Sequence, residues 1–123
     1  KIAAGADAFV LDVKACRAGL VKTEADAVRL AEAMLGIARA SGRRAVAWVS
    51  AMEEPLGRAV GNALEVFEAV AALQGEGPED LVQLSLELGT EMLLLGGLAA
   101  DREAARSALE RALRSGAALD KFA

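Results

Sequence analysis

Two short apolar runs, Ala8-Phe9-Val10-Leu11-Asp12-Val13 and Ala45-Val46-Ala47-Trp48-Val49-Ser50, flank a stretch with helical spacing, and this arrangement constrains the fold most. Each run has the length and composition of a buried strand. Between them, Thr23 followed by Asp26 has the form of a helix N-cap with an acidic partner. Val28, Ala31, Met34, Leu35 and Ala38 then recur at helical spacing, and Ala27, Leu30 and Ile37 widen the stripe. Ser41-Gly42 ends the helix. Two strands joined through one helix form a βαβ crossover, which implies parallel pairing. In open sheets of this kind ligands gather beyond the carboxyl ends of the strands, which here means the loops 14–22 and 50–57.

The rest of the chain reads as helical. Pro55 suits a first helical position, so a short helix ending near Ala59 is expected, limited by Gly57 and Gly61. Asn62 can cap a helix through Leu73. Pro78 opens another, carrying Leu81, Leu84, Leu86, Leu88 and Met92 to Leu95, which Gly96-Gly97 breaks. Asp101 opens a further helix through Ala105, Leu109 and Leu113 to near Gly116. The fold class is therefore α/β, a partial parallel-sheet α/β domain with a helical C-terminal half. Lys1 to Gly5 reads as the last turn of a helix with Gly5 as its left-handed stop. Ala117 to Ala123 opens a new amphipathic stretch. Both ends are thus expected to be cut from a longer chain.

Charge and composition exclude several classes of function. Lys and Arg total 14 against 18 Asp and Glu, a net charge of −4, so the basic footprint of a nucleic-acid binder is missing. The chain has no His, which removes Ser-His triads and His-ligated zinc within it. Its single Cys, Cys16, allows no internal disulfide, and a reducing cytoplasm fits. The best apolar run, Met92 to Ala100, is interrupted by Gly96-Gly97 and falls short of the ~20 residues needed to cross a bilayer. No membrane partner is expected.

Few residues carry chemistry by pattern alone. Asp12 and Lys14 close the first strand and are read as pairing with each other or with solvent. Cys16 lies beside Arg17, but with no His to act as a base it reads as a packed thiol. Glu53-Glu54 reads as facing water. The segment from Met52 to Glu68 concentrates a proline, three small-residue breaks and several carboxylates. A short helix ending near Ala59 would leave free carbonyls at the negative end of its dipole. With one carboxylate these would make an oxygen site for a hard cation; the other reading is a solvated turn before a charged helix.

Pro55-Leu56-Gly57-Arg58-Ala59-Val60-Gly61-Asn62-Ala63-Leu64-Glu65-Val66-Phe67-Glu68-Ala69 resembles the PLGxAxGNALEVxEA segment of the pyrimidine-nucleoside phosphorylases, which include thymidine phosphorylase. The resemblance extends to Lys1-Ile2-Ala3-Ala4-Gly5-Ala6-Asp7-Ala8, to Val10-Leu11-Asp12-Val13-Lys14 and to Leu73-Gln74-Gly75-Glu76-Gly77-Pro78. It implies that residues 1–123 are the central part of an α/β domain, without the family's N-terminal helical domain, phosphate loop and C-terminal region. The family's enzymes are cytoplasmic homodimers that cleave pyrimidine nucleosides with phosphate to the base and (2-deoxy-)ribose 1-phosphate. The resemblance places potassium ligands at the Leu56 and Ala59 carbonyls and at Glu68, the remaining ligands belonging to a KxSxGGVGD loop that this sequence lacks. No catalytic residue maps onto the chain, so it is expected to be inactive by itself. Where the family reads VGxGAFMK, this chain reads Ala15-Cys16-Arg17-Ala18-Gly19-Leu20-Val21-Lys22. Leu20 takes the place of an aromatic that lines the base pocket, while Cys16 and Ala18 replace glycines and are expected to strain the loop. A stand-alone, non-catalytic interaction module built on the same scaffold is the alternative.

Overall fold

A computed structural model describes residues 2–17 and 21–123. A single 3-10 turn, Ile2–Ala4, is closed by Gly5, whose N–H bonds the Ile2 carbonyl at φ +84°. The chain then forms β1 (Ala8–Ala15), α1 (Glu24–Ala40), β2 (Arg44–Ala51), α2 (Asn62–Leu73), α3 (Glu79–Leu95), α4 (Arg102–Arg114) and α5 (Ala117–Phe122). Strands β1 and β2 pair in parallel, with Ala8 opposite Arg44 and Ala15 opposite Ala51. The α/β reading with a helical C-terminal half holds, and the strands run slightly beyond their apolar runs.

The period-2 pattern of β1 explains the layering. Phe9, Leu11 and Val13 are buried while Val10, Asp12 and Lys14 are only partly so. The buried set packs on Ala27, Ala31, Met34 and Ala38 of α1 and on Ala45, Ala47 and Val49 of β2. Alanine along the α1 contact lets the helix approach the sheet closely. Each of the three large β1 side chains contributes about 1.5–3 kcal/mol by leaving water. Helix α1 starts as its sequence signals: the Thr23 hydroxyl accepts the Asp26 N–H at 3.1 Å.

Helices α3 and α4 pack together, and α3 also meets both strands. The Arg102 guanidinium at the start of α4 lies 5.7 Å from the Trp48 ring centroid, tying that layer to β2. Arg102 also pairs with Glu87 at 3.2 Å and with Glu91, and Arg106 with Glu87 at 2.6 Å. The N-cap of α4 is Asp101, whose carboxylate accepts the Ala104 N–H at 2.8 Å. Among the described residues no helix is long and apolar enough to cross a membrane.

Two local expectations are corrected. Residues 52–61 contain no helix. Gly57 turns the chain at φ +76°, and the amides of Gly57, Arg58 and Ala59 bond side-chain carboxylates rather than helical carbonyls. Gly61, not Asn62, is the N-cap of α2. Its N–H donates to Glu65 Oε1 at 3.3 Å and its carbonyl accepts the Glu65 N–H at 2.8 Å, so the acidic side chain one turn on closes the helix start.

Candidate functional site

The parallel sheet delivers the ends of both strands to one open groove of about 780 Å³. Lys14 from β1, Ala51 from β2, the loop after β2, the first two turns of α2 and the first turn of α3 line it. Leu56, Ala59 and Glu68 all border this groove, so the structure brings three residues singled out from the sequence to one place. Leu20 lies outside the described residues.

Glu68 is what shapes the turn. Its Oε1 accepts the Arg58 N–H at 2.9 Å and the Ala59 N–H at 3.1 Å. Asp80, in the first turn of α3, accepts the preceding amide, Gly57 N–H, at 3.0 Å through Oδ2. Three successive main-chain N–H groups are therefore held by two carboxylates, an arrangement that a turn with one left-handed residue makes available. The φ of +76° favours glycine there, and a Cβ on Gly57 would also overlap Glu68 Oε2, so the carboxylate end would have to shift. Hydrogen bonds from Gly57 and Leu81 N–H, with the nearby Arg58 charge, hold the Asp80 carboxyl below its ordinary pKa against a smaller desolvation effect.

Among the described residues, no hydrogen bond is donated to the Leu56 or Ala59 carbonyl, nor to Glu68 Oε2. Two main-chain carbonyls and one carboxylate oxygen are oxygen donors of the kind hard cations take. The free carbonyls thus arise from a carboxylate-pinned turn rather than from a helix end.

Around this turn, Ser50 completes the pair read from the sequence. Lys14 Nζ lies 2.6 Å from Asp12 Oδ2 and donates to Ser50 Oγ at 3.0 Å, while the Ser50 hydroxyl donates to Asp12 Oδ1. The register that sets Lys14 opposite Ser50 brings the three together. Glu53 is not simply solvated: it accepts Arg17 N–H at 3.0 Å and Arg17 Nε at 3.3 Å, joining the loops that follow the two strands. Cys16 is buried, as its packed reading requires. The strain expected at Cys16 is absent, since no described residue other than glycine has positive φ, and its N–H bonds the Val21 carbonyl at 3.0 Å. Ala18 lies outside the described residues. Asp80 and Ser50 escaped sequence reasoning because their partners lie 23 and 36–38 residues away, with no local spacing to betray them.

The groove lies at the carboxyl ends of parallel strands and is bordered by a carboxylate-pinned turn, the position at which open α/β sheets commonly take ligands. The family model described as "Glycosyl transferase family, a/b domain" matches residues 1–119, and the chain belongs to that family. The chain is 52% identical over 122 residues to the pyrimidine-nucleoside phosphorylase of Bacillus subtilis (strain 168), a match covering 99% of this chain and 28% of the relative. The pyrimidine-nucleoside phosphorylases of Staphylococcus aureus (strain USA300) and Staphylococcus haemolyticus (strain JCSC1435) are similar to the same extent, 52% over 122 residues, 99% of this chain and 28% of theirs. The chain thus spans between a quarter and a third of the length of these relatives.

Proposed function

We propose that this chain is a working part of a pyrimidine-nucleoside phosphorylase, the enzyme that takes thymidine or uridine and phosphate to the free base and (2-deoxy-)ribose 1-phosphate. The observation that carries the reading is the 52% identity to such enzymes across 99% of the chain. In the reaction the C1′–N bond breaks, its electron pair leaves with the base, and a phosphate oxygen bonds to C1′. Catalysis of this kind rests mostly on positioning and on stabilising an oxocarbenium-like sugar. The 123 residues supply the strand ends that border the groove and the turn at 56–59; by its resemblance to the family, Leu20 takes the place of a base-pocket aromatic. They contain no KxSxGG phosphate loop, and the chain alone is expected to be inactive.

Leu56, Ala59 and Glu68 are the residues that would hold a potassium ion. Their fit is supported by two carbonyls and a carboxylate oxygen that receive no hydrogen bond among the described residues and lie beside one groove. Bound there, potassium would supply a fixed positive charge that ties this loop to its neighbours. Gly57 sets the turn, and the Arg58 and Ala59 amides fix the Glu68 carboxylate by holding one of its oxygens. The setting we infer is a cytoplasmic homodimer, which rests on the resemblance to the pyrimidine-nucleoside phosphorylases.

The test is phosphate-dependent release of thymine or uracil. The purified chain is expected to give none. Exchange of its 122 matched residues into the Bacillus subtilis relative is expected to give an enzyme that cleaves thymidine or uridine. Turnover by the chain alone, or a folded exchange protein that binds neither nucleoside nor phosphate, would overturn the proposal.

A further inference from the structure

Asp80 stands apart from the three residues placed at the cation seat, yet among the described residues it makes the one hydrogen bond that reaches the turn from α3. Its carboxylate Oδ2 takes the Gly57 N–H at 3.0 Å, while Oδ1 takes the Leu81 N–H at 2.9 Å and so anchors the side chain to its own helix. The next two amides of the turn belong to Glu68. A peptide plane is rigid, so fixing the Gly57 N–H fixes the direction of the Leu56 carbonyl in the same plane. Asp80 therefore governs one proposed cation ligand, Leu56, and Glu68 governs the planes that follow it. Gly57 alone could leave the turn free to rotate, since glycine populates both signs of φ.

We infer that Asp80 is a positioning residue for the cation seat: by holding Gly57 N–H from α3 it aims the Leu56 carbonyl at the point Glu68 and Ala59 share. The inference rests on the reading of Leu56, Ala59 and Glu68 as cation ligands. Outer partners of metal ligands commonly change metal affinity by 10–100-fold. Asp80 is exposed, so the lower end, about tenfold, is expected here.

The experiment uses the labelled exchange protein, the Bacillus subtilis relative carrying the 122 matched residues of this chain, which supplies the loop that this sequence lacks. With no further substitution it is the unaltered chain of the comparisons below. The main-chain ¹³C carbonyl shifts of Leu56 and Ala59 are followed during titration with potassium chloride, with choline chloride at matched ionic strength as the blank. The unaltered chain is expected to show a saturable, potassium-specific shift at both carbonyls. D80A is expected to need about tenfold more potassium, with the Gly57 amide shifted and the β1 amides of Val10 to Val13 unchanged. D80N keeps an acceptor for Gly57 N–H and is expected to titrate within about twofold of the unaltered chain, which a purely destabilising lesion would not restore. E79A, one residue away, is expected to change nothing. If D80A titrates like the unaltered chain, Asp80 has no positioning role while the seat stands. If the unaltered chain itself shows no potassium-specific shift, the seat on this chain is refuted, and Asp80's role falls with it. If D80A loses its β1 signals, D80N decides: weakening of about tenfold with β1 intact shows that the charge rather than the acceptor matters, and overturns the inference as stated.

Discussion

Replacing Gly57 and Gly75 by alanine, one at a time, measures how firmly Glu68 is seated on the turn. Both glycines have positive φ, +76° and +87°. An added Cβ at Gly75 meets nothing within 4 Å, so G75A suffers only the left-handed backbone penalty, about 1–2 kcal/mol. At Gly57 the same methyl overlaps the Glu68 carboxylate. The carboxylate must move, and the Arg58 and Ala59 hydrogen bonds to Oε1 go with it. At about 1 kcal/mol each for bonds at a half-exposed site, G57A is expected to lose roughly 3–4 kcal/mol in total. Urea unfolding of the chain followed by far-ultraviolet circular dichroism reads both values. The difference between the variants, about 2 kcal/mol, isolates the carboxylate contact from the backbone strain. Equal losses for G57A and G75A would refute the seating of Glu68.

Three further outcomes are expected. T23A removes the side-chain cap of α1 and is expected to lower stability by about 1 kcal/mol in the same unfolding assay. A27L forces a larger side chain into a site with 0% exposure beneath the sheet, for a loss of about 1–3 kcal/mol, whereas a tolerated leucine would show that α1 is not tightly packed. The Arg106 hydrogen bond, 3.0 Å from Nε to Oε1, with the nearby Arg106 and Arg114 charges, lowers the Glu110 pKa. A depressed native pKa means the contribution is complete above the unfolded value, about 4.3, and fades as pH falls through the native one. The acid limb of a stability–pH curve should therefore flatten in E110Q, and an unchanged limb would exclude Glu110 as a contributor.

How much was legible in the sequence depends on how local each cause is. The strands follow from alternation in Phe9, Leu11 and Val13, and their parallel pairing follows from the helix between them. The starts of α1 and α4 follow from Thr23 and Asp101, whose partners are three residues away. The short helix expected from Pro55 to near Ala59 does not form, because proline and small residues there permit either conformation. What decides it is non-local: Glu68 lies 9 or 10 residues from the amides it holds, and Asp80 lies 23 from Gly57. The same long reach hid Ser50 in the Lys14–Asp12 cluster and Arg17 as the partner of Glu53. Leu56, Ala59 and Glu68 were found together only through the likeness of a 15-residue segment to known enzymes, since their oxygens share no spacing rule.

The most direct test of a cation seat at Leu56, Ala59 and Glu68 is anomalous diffraction from thallium(I), a heavy substitute for potassium. It would be soaked into crystals of the Bacillus subtilis relative carrying the 122 matched residues of this chain. A peak coordinated by the Leu56 and Ala59 carbonyl oxygens and the Glu68 carboxylate is predicted. Thallium held elsewhere in the cleft, with none at these three oxygens, would contradict it.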